Sequence, residues 1–205
     1  MKKGLRFIIL SLFFLVCNTQ NSLVTPELQG QRVAYFAGGC FWCMEPPFDE
    51  LEGVVSTTVG YMGGFIENPT YEIVSTGESG HAEVVKVVYD PNVVTYEELI
   101  DVFWRNIDPT ALNYQFSDYG SQYRTEIFYI EDTQKNIATE TKQKLDQSGR
   151  FEDPIVTKIT KASKFYLAEE FHQDFYKKNN LRYKMYKKAS GREKFFEQIW
   201  KENSS

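Results

Sequence analysis

Val33-Ala34-Tyr35-Phe36-Ala37-Gly38-Gly39-Cys40-Phe41-Trp42-Cys43-Met44-Glu45 is the stretch on which the reading of this chain turns. Its first five residues alternate poorly but are rich in β-formers, which predicts a buried strand, and Gly38-Gly39 ends that strand in a tight turn. Beyond the turn, Glu45 to Leu51 reads as helix. Pro46 and Pro47 suit a first turn, where a missing N–H would be unbonded anyway, so the helix is expected to start just after Cys40. Both thiols therefore sit where a strand becomes a helix.

Working outward, Val54 to Val59 predicts a second strand, which runs into Gly60-Tyr61-Met62-Gly63-Gly64, a glycine-rich loop able to bend sharply. Ala82 to Tyr89 is the clearest strand, followed by an Asp90-Pro91-Asn92 turn. The helix from Thr95 to Asn106 has a capping box in Thr95 and Glu98, with Leu99, Val102 and Phe103 at helical spacing. Tyr123 to Ile130 reads as strand, Asp132 to Gln147 as a polar helix, Ile155 to Thr160 as a short strand, and Ala168 to Asn179 and Arg192 to Trp200 as helices. Strands and helices without a strict βαβα rhythm predict an α+β fold: a two-layer sandwich, a mixed β-sheet with packed helices around a ferredoxin-like core. Two long loops, Gly64 to Gly80 and Asp108 to Gln122, are expected to carry function.

The chain has 205 residues, 42% of them hydrophobic and 25% charged, which is enough apolar material for one core. Residues 1–21 differ from the rest. Lys2, Lys3 and Arg6 precede a run from Phe7 to Val16 that is apolar except for Ser11, the pattern of a signal peptide or N-terminal anchor. The run falls short of the roughly 18 residues of a spanning helix. Cys17 follows it directly and is a candidate for lipid attachment, although Val16 is larger than such a signal wants. Residues 22–31 read as a polar tether and residues 32–205 as the domain. Export to the periplasm or cell envelope is expected, with any membrane tether through the N-terminus alone. Loss of the leader would carry the net charge from −5 to −8, which argues against nucleic acid as a partner.

With Cys17 set aside, Cys40 and Cys43 are the two remaining thiols. A loop this short constrains almost none of the unfolded chain, so the pair points to redox or metal chemistry and not to a structural staple. Near a helix start their Cα atoms would lie about 5 Å apart, within disulfide range. The N–H groups and dipole of the helix favour a Cys40 thiolate, which makes Cys40 the expected nucleophile. Cys43, deeper in the helix, suits the later attack on an oxidised Cys40. Zinc would need further ligands, and His81 and His172 show no ligand-like spacing. A thioredoxin-like disulfide oxidoreductase is the alternative, since Cys-x-x-Cys after a strand is its mark. Strand alternation puts Glu83 on the face of Val85, Val87 and Tyr89, opposite Lys86. Desolvation there would raise its pKa and leave it protonated, able to serve as an acid.

Gly38-Gly39-Cys40-Phe41-Trp42-Cys43-Met44-Glu45 resembles the signature of the A-type peptide methionine sulfoxide reductases. Further stretches look like blocks of the same family in family order: Gly60-Tyr61-Met62-Gly63-Gly64, Asn68-Pro69-Thr70-Tyr71, Gly80-His81-Ala82-Glu83, Phe103-Trp104 with Asp108-Pro109, Gly120-Ser121-Gln122-Tyr123-Arg124, and Ala168-Glu169-Glu170-Phe171-His172-Gln173. Together they span Val33 to about Tyr186.

The resemblance implies an enzyme that repairs oxidised methionine, free or in proteins, at the S epimer of the sulfoxide. Cys40 would attack the sulfoxide sulfur, Glu83 would protonate the departing oxygen, and Tyr61 and Tyr123 would hold that oxygen. Phe41 and Trp42 would cage the methyl group, and Asp118 would position the substrate. Cys40 would become a sulfenic acid and condense with Cys43 to a disulfide, which thioredoxin or a thioredoxin-like dithiol would reduce. No cofactor or metal is required, and a monomer is expected. Many family members carry the resolving thiol in a C-terminal tail. Here no cysteine follows Cys43, so Cys43 is the intramolecular candidate. His172 and His81 are expected to be structural.

Overall fold

The computed structural model describes residues 30–201. The leader, most of the tether and Cys17 lie outside the described residues. The opening strand, β1 (Arg32–Gly38), is followed by α1 (Phe41–Asp49), β2 (Val54–Met62), a short α2 (Tyr71–Ser75), β3 (Ala82–Tyr89) and α3 (Tyr96–Arg105). A small hairpin, β4 (Tyr114–Gln115) and β5 (Asp118–Tyr119), leads through a 3-10 turn at Ser121–Tyr123 into β6 (Thr125–Tyr129) and α4 (Asp132–Gln147). The chain ends with β7 (Lys158–Lys161), β8 (Tyr166–Leu167), α5 (Phe175–Lys178), α6 (Asn180–Ala189) and α7 (Arg192–Ile199).

The main sheet has the order β7-β6-β1-β3-β2-β8; β6 and β7 run parallel and the other neighbours antiparallel. Within it, β6-β1-β3-β2 with α1 and α3 make the βαββαβ unit of a ferredoxin-like core. Phe36 of β1 stands beside Val85 of β3 on one side and Ile127 of β6 on the other, so one row of apolar side chains crosses the sheet. Onto that row pack Met44 and Phe48 from α1, Leu99, Ile100 and Phe103 from α3, and Ala138 from α4. Phe36 stacks on Phe48 with ring centroids 5.0 Å apart. The opposite face carries a smaller cluster of Ala37, Met62, Ala82, Val84 and Phe128, with Phe165 against it. This is the expected two-layer α+β arrangement.

Local sequence sets several of these bounds. Thr95 accepts the Glu98 N–H while the Glu98 carboxylate accepts the Thr95 N–H at 2.7 Å, so α3 starts where the capping box predicts. The prolines of α1 depart from expectation. Pro46 and Pro47 lie in the middle of the helix and remove the bonds that would reach the carbonyls of Trp42 and Cys43. The helix resumes through Glu50 N–H to Pro46 O at 3.0 Å, held by the burial of Met44 and Phe48. Of the helix expected from Ala168 to Asn179 only the last turn, α5, forms. The Gln173 amide bonds both the N–H and the carbonyl of Val59, each at 2.9 Å, which pulls this segment onto the edge of β2. Asp174 in a left-handed conformation (φ 52°) then breaks the chain direction before α5. Helix starts again at Asn180, in a segment not expected to be helical.

Candidate active site

The glycine turn is tight on both residues. A Cβ on Gly39 (φ +91°) would lie 2.6 Å from Gln115 Cβ, and one on Gly38 would lie 2.7 Å from Ile107 Cγ2. The turn delivers Cys40 to the N-cap of α1, where its carbonyl accepts the Cys43 and Met44 N–H groups at 2.9 and 3.2 Å. The first free N–H of the helix, on Phe41, donates to Glu83 Oε2 at 2.9 Å. Glu83 thus caps the helix from β3 and lies beside Cys40. Both side chains are enclosed, Glu83 being 2% exposed and Cys40 7%.

Burial pushes the Glu83 carboxyl well above the usual carboxylate range, and the Cys40 charge adds to it. The Phe41 N–H bond pulls the other way without reversing the shift. Because that bond engages Oε2, the proton belongs on Oε1, free for a ligand.

The thiols differ from expectation. Burial pushes the Cys40 thiol well above its ordinary value, with the hydrogen bond and charge of Cys43 and the charge of Asp118 adding to it. Cys43, 3% exposed, is drawn below its ordinary value, first by a hydrogen bond from Cys40 and then, against burial, by Arg192 and Lys187. Enclosure thus works against a thiolate at Cys40. The helix terminus alone favoured a Cys40 thiolate, but that contribution of about 1 kcal/mol is outweighed by desolvation and by neighbouring acids.

Tyr61 is on β2, opposite Glu83 in the antiparallel register, and not in a loop. Its hydroxyl donates to Glu169 Oε2 at 2.8 Å, while Glu169 Oε1 accepts the Tyr71 N–H at 2.7 Å. Tyr123 comes from the 3-10 turn, just ahead of the strand expected to contain it, and its hydroxyl pairs with that of Tyr71. Burial raises both Tyr61 and Tyr123, helped by Glu169 at the first and Glu83 at the second, so both remain hydroxyl donors. Asp118 on β5 accepts the Tyr186 hydroxyl from α6, and Tyr186 pulls the Cys40 thiol down against its burial without reversing the shift.

Phe41 is buried, its ring centroid 4.9 Å from His172 and 6.1 Å from Tyr61. Trp42 is half-buried and stacks on Phe175 at 3.7 Å; its indole N–H donates to His172 Nδ1 at 3.0 Å. Burial lowers the His172 pKa, against the pull of Glu169, so the ring is a neutral acceptor that orients Trp42. The residues expected at the site thus gather at one end of α1. Sequence reasoning missed Tyr71, Glu169, Tyr186 and Arg192 as neighbours of that site. Tyr71 and Glu169 lie in the stretches that carried the resemblance, whereas nothing in the local pattern marked Tyr186 or Arg192. Among the described residues no three His, Cys, Asp or Glu side chains gather into a group suited to a metal ion.

The profile of the family described as Peptide methionine sulfoxide reductase matches residues 32–204. Peptide methionine sulfoxide reductase MsrA of Bacillus licheniformis is 51% identical over 170 residues, covering 83% of this chain and 94% of the relative. Among solved structures, Mxr1 of Saccharomyces cerevisiae in reduced form superposes with a TM-score of 0.71 at 31% identity, over 78% of this chain and 91% of that one. Mxr1 in complex with Trx2 gives 0.53 at 25% identity, over 73% and 88%. The chain belongs to the peptide methionine sulfoxide reductase family.

Proposed function

We infer that this chain is a thioredoxin-dependent peptide-methionine (S)-S-oxide reductase, acting on methionine sulfoxide in proteins or free. The observation that carries the reading is the buried Glu83 carboxyl held by the Phe41 N–H beside Cys40. A sulfoxide oxygen leaves poorly without a proton, and a carboxyl that stays protonated next to a thiol supplies one. Cys40 attacks the sulfoxide sulfur, Glu83 Oε1 gives its proton to the oxygen, and methionine departs while Cys40 keeps the oxygen as a sulfenic acid. The proton that Cys40 loses restores the Glu83 carboxyl. Tyr123 donates a hydrogen bond to the oxygen, as does Tyr61 once its hydroxyl turns from Glu169 to the ligand; Phe41 and Trp42 receive the methyl group, and Asp118 positions the substrate through its bond with Tyr186. Cys43 then displaces hydroxide from Cys40 to form the disulfide.

Family membership and the names of its relatives support the activity, and the Mxr1–Trx2 complex supports a thioredoxin as reductant. The leader read in residues 1–21 would place the enzyme in the cell envelope, and the donor would then be a thioredoxin-like protein there. Protein repair under oxidative stress is the corresponding role. The test is consumption of resolved methionine sulfoxide epimers by the purified chain with thioredoxin. Selective loss of the S epimer is expected. No methionine release, together with reduction of insulin disulfides, would replace the reading with a disulfide oxidoreductase.

A further inference from the structure

The turn from Glu169 to Gln173 lends no side chain to the reaction, yet it is fastened against the site. The His172 N–H closes it by donating to the Glu169 carbonyl at 2.9 Å, and the Gln173 amide latches it to Val59, just ahead of Tyr61 on β2. The latch sets Glu169 against the Tyr61 hydroxyl and His172 against the Trp42 indole.

The proton on His172 can be placed from its neighbours. An indole N–H can only donate, so Nδ1, which receives the Trp42 bond at 3.0 Å, carries no proton. Burial lowers the His172 pKa against the pull of Glu169, so the ring is neutral and its one proton sits on Nε2. That N–H is enclosed, on a residue 1% exposed, and has no hydrogen-bond partner among the described residues. A buried donor left unmade is costly, and folded proteins keep few of them. Glu169 Oε2 lies 4.0 Å from Nε2, beyond hydrogen-bond range.

That oxygen is already engaged. Glu169 Oε2 accepts the Tyr61 hydroxyl at 2.8 Å while Oε1 accepts the Tyr71 N–H at 2.7 Å. Burial pushes the Glu169 carboxyl up, but these bonds outweigh it and hold the group below its ordinary value, as a carboxylate. Tyr61 has a single hydroxyl proton and cannot give it to Glu169 and to a sulfoxide oxygen together. Turning to the ligand would strip a carboxylate oxygen of its donor, and hydrogen bonds to charged groups are the strong ones. His172 is fixed by its Trp42 bond and by the rings of Phe41, Tyr71 and Phe171, with centroids 4.9, 4.4 and 4.1 Å away. Glu169 is the movable partner, its side chain 34% exposed and anchored through Oε1. A swing of about 1 Å about that anchor brings Oε2 within reach of Nε2.

We propose that Glu169 and His172 are positioning residues that release Tyr61 to the substrate: as the Tyr61 hydroxyl turns to the sulfoxide oxygen, Glu169 Oε2 exchanges it for the His172 Nε2–H. The inference rests on the reductase reading above. Every proton stays on its own atom, and neither Glu169 nor His172 touches the substrate. The exchange leaves Oε2 with one donor before and after, so Tyr61 changes partner without stranding a carboxylate.

His172→Asn separates the two nitrogens. The asparagine carbonyl stands in for Nδ1 and keeps an acceptor for Trp42, but nothing replaces the Nε2 donor. The reduced full chain is mixed with methionine sulfoxide and no reductant, and methionine release is followed over a single turnover. His172→Asn should slow release about tenfold. In a Tyr61→Phe chain, itself slower, the same substitution should change the rate by less than about twofold, because the hydroxyl it serves is gone. A merely structural role would slow both chains alike, and that result, or a His172→Asn chain as fast as wild type, would overturn the proposal. A wild-type chain that releases no methionine defeats the reductase reading itself.

Should His172→Asn fail to fold, the His172 proton decides directly. The chain has two histidines, and the other, His81, already has its Nε2 bonded to the Ile66 carbonyl at 2.8 Å. In a Cys40→Ser chain, which binds methionine sulfoxide without reducing it, saturating sulfoxide should move the His172 Nε2–H resonance downfield and slow its exchange with water. In a Cys40→Ser, Glu169→Gln chain the resonance should stay in place, because the single amide oxygen is held by the Tyr71 N–H and an NH2 group faces Nε2. No shift in the first chain, or the same shift in both, would overturn the proposal.

Discussion

Replacing Glu83 with glutamine separates the two things its carboxyl does. The amide oxygen of Glu83→Gln can still accept the Phe41 N–H, now made at 2.9 Å, so the start of α1 keeps its cap and Cys40 its place. What is lost is the proton on the second oxygen. General acid catalysis contributes about 10²–10⁴ in rate, so kcat should fall by that factor, about 3–5 kcal/mol on the barrier. Glu83→Ala should be worse in a different way, because it strands the buried Phe41 N–H and destabilises the fold by about 1–3 kcal/mol as well.

The stability of Glu83→Gln has a definite sign. The folded chain holds the Glu83 proton above the pH at which the unfolded chain releases it, so the folded state binds more protons and wild-type stability declines as pH rises through that window. Glutamine has no proton to lose. The variant should therefore gain on the wild type as pH climbs from about 4 towards neutrality, while remaining nearly inactive. Steady-state methionine production and chemical unfolding at several pH values measure both. A Glu83→Gln enzyme within about threefold of wild-type kcat would refute the assignment of Glu83 as the acid.

Cys43→Ser should release about one equivalent of methionine and then stall with thioredoxin, whereas Cys40→Ser should release none; sustained thioredoxin-driven turnover by Cys43→Ser would reveal another resolving route. Burial raises Glu45 to about 7, against a hydrogen bond from the Asp174 N–H. Neutral Glu45 is tolerated in the fold, so its burial costs nothing below about pH 4, and the cost grows up to about pH 7. Glu45→Gln should remove that part of the decline, and unchanged pH dependence of the urea midpoint would count against it. Thr95→Ala removes the cap of α3 and should lower stability by about 1 kcal/mol without altering turnover, read from thermal unfolding and a rate assay. Trp42→Phe leaves the buried His172 Nδ1 without its 3.0 Å donor and should cost about 1–3 kcal/mol in denaturant unfolding; no loss would mean that His172 finds another partner.

What could be read from the sequence was what neighbouring residues decide among themselves. The alternation of Glu83, Val85, Val87 and Tyr89 against Lys86 fixes which face of β3 is buried, and the Thr95–Glu98 pair fixes where α3 begins, because both effects act within one turn or one pleat. The segment after Ala168 escaped the same logic. There the Gln173 amide takes the place of a strand neighbour for Val59, a partnership across 114 residues that no helical spacing could reveal. The charge on the thiols escaped it more completely. A helix start favours an anion at its first residue, and by that rule Cys40 should be ionised. The rule holds only while water reaches the site. Phe175, Tyr176 and Tyr183 close over Cys43 and Tyr186 packs beside them, so burial raises the Cys40 thiol against the helix terminus. Each of those residues is brought in by tertiary packing of α5 and α6, the part of the chain whose helices were least legible. The proposed roles of nucleophile and acid follow from the local pattern around Cys40 and Glu83, but the burial that opposes ionisation at Cys40 is supplied by residues packed in from distant parts of the chain.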